Sequence, residues 1–113
     1  MVKTKRVYDP ASPADGKRIL IDRLWPRGIK KEDAKIDEWL KEIAPSNELR
    51  KWFSHDPAKW LEFKKRYINE LKKKNELVEK LRTEAAKRTI TLLFAARDIE
   101  HDNAVVLREL IEQ

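Results

Sequence analysis

Thr89–Ala96, TITLLFAA, is the segment on which the fold turns. It is β-branched at its start, apolar throughout and sharply bounded by charge, the clearest strand in the chain. The chain around it reads as helix. Downstream, Asp102–Ile111 places Ala104, Leu107, Leu110 and Ile111 on one helical face. Upstream, Asn75 starts a helix with Leu77, Val78, Leu81 and Ala85 inward. Before that, Asp56-Pro57 pairs an acidic cap with a first-turn proline, opening a helix that buries Trp60, Phe63, Tyr67 and Leu71. Ser46 caps a short helix carrying Leu49, Trp52 and Phe53. A longer helix is expected over Lys31–Ile43, where Ile36, Trp39, Leu40 and Ile43 recur at i, i+3, i+4 and i+7, and Pro45 stops it.

Two further strands precede the helices, a short one at Arg6–Tyr8 and a longer one at Ile19–Leu24. Between them, Asp9–Gly16 (DPASPADG) holds three turn signals. That connection is short for a parallel crossover, so the two strands are either antiparallel or not neighbours. Trp25-Pro26 ends the second strand, because proline cannot donate to a central ladder. Strands separated by helices argue for an α/β fold with three strands and about five helices, formed as one domain over residues 1–113.

Composition narrows the class. No apolar run approaches the ~18 residues of a membrane span. The opening MVKTKRVYDP lacks the apolar core of a secretory leader, so a cytoplasmic location is expected. The chain has no cysteine, which removes disulfides, thiolate metal sites and cysteine nucleophiles together. Gly16 and Gly28 are the only glycines, too few for a glycine-rich phosphate loop. Abundant Lys and Glu, with Met and Gln once each, resemble a thermophile's composition.

The formal charge is +6, and all of the excess lies in residues 59–88, which hold eleven Lys/Arg against five Asp/Glu. A basic helical face can attract nucleic acid through its phosphates. The plainer reading, a solvated face balanced by i, i+4 pairs such as Arg66–Glu70 and Lys80–Glu84, is favoured. Trp60, Phe63 and Tyr67 recur at helical spacing, which makes them core residues and not a base-stacking platform.

The stretch from Val7 to Phe53, with DRLWPRG at Asp22–Gly28 and APSNELRKWF at Ala44–Phe53, resembles the YeaO-like branch of the DUF488 family. TLLFAARDIEHDNAVVLREL, Thr91–Leu110, is similar to that family's C-terminal part. The family has no established activity, so the resemblance implies an architecture, a small and mainly parallel sheet, and not a mechanism. Where relatives carry Asn-His before Ala104, this chain has Asp102-Asn103, so a role at that turn transfers less securely than one at DRLWPRG.

In parallel α/β sheets, ligands bind at the carboxyl ends of the strands. Asp9 follows the first strand, Arg23, Trp25 and Arg27 the second, and Arg97, Asp98 and His101 the third. Arginine forks grip phosphate or carboxylate bidentately, and Trp25 can stack on a planar ligand, so these residues fit a small anionic or phosphorylated ligand. The competing reading is an internal network, Arg23 with Asp98 and Arg27 with Asp9 or Glu32. Asp98 and His101 are the candidates for acid–base catalysis, if the domain is an enzyme. Ser54-His55-Asp56 imitates a hydrolase triad, but three consecutive residues are poorly placed to make both bonds. Asp98, His101 and Asp102 form too weak a pattern for a dedicated metal site, and no cofactor is expected. A third class, a non-enzymatic interaction protein, requires Trp39, Trp52 or Trp60 to lie in an exposed patch.

Overall fold

The computed structural model describes all 113 residues. Four strands, β1 (Val2–Arg6), β2 (Lys17–Leu20), β3 (Glu38–Trp39) and β4 (Ile90–Phe94), form one sheet in the order β1-β4-β2-β3, and every pairing is parallel. Five α-helices accompany it: α1 (Lys31–Ala34), α2 (Asn47–Phe53), α3 (Trp60–Lys72), α4 (Asn75–Lys87) and α5 (Asn103–Glu112). β4, the apolar TITLLFAA segment, is central, with Leu92 opposite both Thr4 and Ile19. It separates β1 from β2, which answers the question raised by their short connection: the two strands are parallel but not neighbours.

The sheet has four strands and not three, because the expected helix over Lys31–Ile43 does not form. Arg18 stops it. Its guanidinium donates to the carbonyls of Ala34 (3.0 Å) and Lys35 (2.9 Å), capping α1 after one turn. Lys35 then takes a left-handed φ of 49°, and the chain continues extended into β3. The helical spacing was deceptive because its members serve two cores. Ile36 packs under the sheet with Val7, Leu20 and Leu93, whereas Leu40 and Ile43 join the main core on the other face.

That main core holds the helices. Phe63, Tyr67 and Leu71 of α3, Val78 and Leu81 of α4, and Ala104, Leu107 and Ile111 of α5 are all buried against Ile19, Ile21, Leu92 and Phe94. Phe53 stacks on Phe63 at 4.2 Å, and the Tyr67 hydroxyl donates to the Ile43 carbonyl at 2.7 Å. The expected caps form. Ser46 accepts from Leu49 N, and Asp56 accepts from Ala58 N ahead of a 3₁₀ turn, Pro57–Lys59, that runs into α3.

On the opposite face, a second 3₁₀ turn, Pro13–Asp15, carries the crossing from β1 to β2. Asp15 takes Arg18 (2.6 Å) and Lys5 (3.1 Å), and its carbonyl accepts from Thr91 Oγ1. Gly16 closes this turn at φ 62°. A Cβ there would stand 2.1 Å from the Thr89 carbonyl oxygen, so only glycine lets β2 start beside β4.

Candidate functional site

All four strands end at one edge, and there the connections diverge. β4 leads into α5 on the helical face, whereas β2 leads into the Trp25–Ile36 segment on the other face. Adjacent strands whose connections part in this way leave a crevice between their carboxyl ends, the usual ligand position in such sheets.

Asp22, the first residue of DRLWPRG, joins the two strand ends. Its Oδ2 accepts from Ala95 N at 2.8 Å and its Oδ1 from Asn103 Nδ2 at 3.1 Å, while its carbonyl accepts from Trp39 Nε1 at 2.7 Å. Asn103 also donates to the Ile21 carbonyl. Asp22 thus ties together the strand ends: its carboxylate joins the ends of β2 and β4 to the start of α5, and its carbonyl takes the Trp39 side chain of β3. Burial pushes the Asp22 pKa up, against the Ala95 and Asn103 hydrogen bonds and the positive charges of His55 and Arg50. On the β1 side, Arg6 donates to the carbonyls of Ala95 (3.2 Å) and Ala96 (2.9 Å).

Beyond Asp22 lies the turn from Ala95 to Asp102. Asp98 Oδ2 meets His101 Nδ1 at 2.8 Å, and Asp98 Oδ1 accepts from the backbone of Glu100 and His101, bonds that hold its carboxyl below the usual range. The His101 ring stands edge-on to Trp60 at 5.2 Å. Asp102 caps α5 through Val105 N (3.1 Å) and is 3% exposed. Burial, helped by the charges of Asp22 and Asp98 and opposed by the Val105 and Ala104 N–H groups, raises its pKa to about 7.

The five ligand-binding residues expected from the sequence are engaged differently. Arg23 turns toward the segment before α2 and donates to the carbonyls of Ala44 (3.2 Å) and Pro45 (3.3 Å). Trp25 donates to the Ile29 carbonyl and packs edge-on against Trp39 at 5.5 Å, on the other face of the sheet. Arg27, Arg97 and Asp9 remain exposed at the edge, and their side chains make no hydrogen bond or ion pair. The internal network weighed against a pocket is therefore not the one that forms: Asp98 pairs with His101 and not Arg23, and Arg27 pairs with neither Asp9 nor Glu32.

Arg27 and Arg97 stand apart from the other arginines. The chain has ten. Arg6, Arg23 and Arg82 hold carbonyls; Arg18, Arg66, Arg88 and Arg108 hold carboxylates; Arg50 holds the Asn47 amide. Only the two at the strand edge are unengaged.

No hydroxyl is bonded to His101, and Ser54, His55 and Asp56 make no hydrogen bond to one another. No group of three acidic or histidine side chains is placed to hold a metal ion. No helix is long and apolar enough to cross a membrane. The basic helices are balanced in part, and by other partners than the two i, i+4 pairs expected. Arg66 pairs with Glu62, Lys80 with Glu38, Lys64 with Glu109 and Arg88 with Glu84, while Glu70 serves Ser46.

Asp22 and Asn103 were missed as site residues. The available signal was a carboxylate at the end of an otherwise apolar strand, ILID, which demands buried donors. Asn103, one residue past a helix cap, had no comparable mark.

The family model described as "Inactive DUF488-N3 subclade" matches residues 1–113. The uncharacterised protein YeaO of Escherichia coli K12 is 46% identical over 96% of this chain and 94% of its own length. The uncharacterised proteins Rv3073c of Mycobacterium tuberculosis H37Rv and Mb3100c of Mycobacterium bovis are each 41% identical, over 97% of this chain and 92% of theirs. No solved structure matches the chain.

Proposed function

The chain belongs to the inactive DUF488-N3 subclade, and we propose that it is a cytosolic, non-catalytic domain that binds a small carboxylate or phosphate ligand at the edge where β2 and β4 end. The observation that carries this reading is the pair of unengaged guanidiniums, Arg27 and Arg97, on the two connections that diverge there. A protein that satisfies eight arginines internally and leaves two free at a strand-edge crevice has kept two planar forks for an outside acceptor. Asp22, Asn103 and Arg6 hold the loops that present them, which lowers the ordering cost of binding. The non-catalytic part of this reading rests on the description of the subclade as inactive.

The direct experiment is an NMR titration of the arginine Nε–Hε resonances with inorganic phosphate. Arg27 and Arg97 are expected to shift together and saturate, while Arg18 and Arg82 stay still. Uniform small shifts at every exposed arginine, without saturation, would refute the site.

A further inference from the structure

Asp102 has a singular position among the acidic residues. It is 3% exposed; its Oδ1 is used by Val105 N, and its Oδ2 is buried with no hydrogen-bond partner. The only other buried side-chain oxygen without a hydrogen bond, Glu38 Oε1, lies 3.0 Å from Lys17 Nζ. Asp102 has no cation within ion-pair reach. The charges acting on it are the carboxylates of Asp22, from the end of β2, and Asp98, from its own turn. The remaining titratable groups at this end face those two and not Asp102: His101 pairs with Asp98, while His55 and Arg50, from the α2 side, act on Asp22. α3 contributes the Trp60 ring against His101 and the buried Tyr67, which lies within range of Asp22.

A buried carboxyl with one unpartnered oxygen is cheap when neutral and costly when charged, the more so beside two carboxylates. We propose that Asp102 is a proton-operated latch: neutral, it seats the Ala95–Asp102 turn and the start of α5 against Asp22; ionised, it is repelled by Asp22 and Asp98 and releases that turn. Arg97 lies on the released segment, so the latch sets whether both guanidiniums face the crevice together. This last link rests on the ligand reading above; the latch itself does not. Burial and the neighbouring charges bring the transition to about pH 7, within the range a cell spans.

The experiment is residue-resolved amide hydrogen exchange at pH 6 and pH 8, corrected for base catalysis, on wild type, Asp102→Asn and Asp98→Asn. Asparagine keeps an N-cap acceptor without the charge. In wild type, residues 95–105 are expected to lose protection at pH 8 by about tenfold relative to the α3–α4 core. Asp102→Asn should abolish this loss, and Asp98→Asn should move it to lower pH than in wild type, because one repelling carboxylate that raised the Asp102 pKa is gone. Equal protection at both pH values in wild type overturns the latch, as does an unchanged pH response in Asp102→Asn, which would assign the effect to His101 or His55. Sulfate, whose charge is constant over this range, reports the coupling: its affinity should fall between pH 6 and pH 8 further in wild type than in Asp102→Asn. A latch that titrates with no sulfate binding at either pH overturns the ligand reading alone, and equal falls in both proteins overturn the coupling.

Discussion

Asp22 Oδ2 accepts a hydrogen bond from Ala95 N at 2.8 Å, joining the end of β2 to the end of β4 at the level where both leave the sheet. Asn103 fills the other carboxylate oxygen, so the start of α5 is held by the same group. Asp22→Ala leaves two donors unpaired in a half-buried place and is expected to cost about 2–4 kcal/mol in chemical denaturation. Asp22→Asn should be intermediate, because its amide offers one acceptor where two donors point. An Asp22→Ala protein with an unchanged denaturation midpoint would remove Asp22 from this role.

The Asp102 pKa, raised to about 7, gives a signed pH dependence. In the unfolded chain this carboxyl ionises near 4, so between pH 4 and pH 7 the folded state binds the extra proton. Stability from this group is therefore full below pH 4 and is lost as pH rises through 7. Asp102→Asn should match wild type at pH 4 and exceed it at pH 8, by an amount on the order of 2–4 kcal/mol. Parallel stability curves for the two proteins across that range would contradict the assignment.

Gly16→Ala tests the crossing from β1 to β2. Its Cβ meets the Thr89 carbonyl oxygen at 2.1 Å, and its φ of 62° is strained for any L side chain. A loss of at least about 3 kcal/mol is expected by thermal or urea unfolding. Gly28, at φ 75° with nothing nearby, should lose about 1 kcal/mol on the same change, which separates strain from collision.

How much of this was legible in the sequence divides along physical lines. β4 was readable because a run of β-branched and apolar residues suits only a strand covered on both sides, and the caps at Ser46 and Asp56 because capping is a local bond. β3 was not. Arg18, twenty residues upstream of β3, takes the carbonyls that would have continued α1, and no periodicity reveals a tertiary cap. The site followed the same rule. A parallel sheet puts the strand ends at one edge, and Arg27 and Arg97 were named from that. Arg23 and Trp25 lie in the same heptapeptide, but Arg23 is spent on the Ala44 and Pro45 carbonyls and Trp25 on that of Ile29, partners distant or turned back on the loop.

Lys65, Lys72 and Lys73 are exposed on the basic helices and make no ion pair. Replacing all three by Gln should leave the melting temperature within about 2 °C of wild type, because exposed unpaired lysines contribute little to folding. It should also leave phosphate binding at the strand edge intact. Retention of an oligonucleotide by wild type at low salt, lost in this triple variant, would instead favour a nucleic-acid-binding module.

The central claim is that Arg27 and Arg97 are kept for an anion, and thermal unfolding with added phosphate tests it most directly. A ligand that binds only the folded state stabilises it by RT ln(1 + [L]/Kd), about 1.4 kcal/mol at ten times Kd, or about 5 °C for a domain of this size. Wild type is expected to gain such a shift over a chloride control at equal ionic strength. The Arg27→Lys/Arg97→Lys double variant keeps both charges and loses both forks, so it should unfold at the wild-type temperature in chloride and gain little from phosphate. An equal phosphate shift in the two proteins, or none in wild type, would contradict the account.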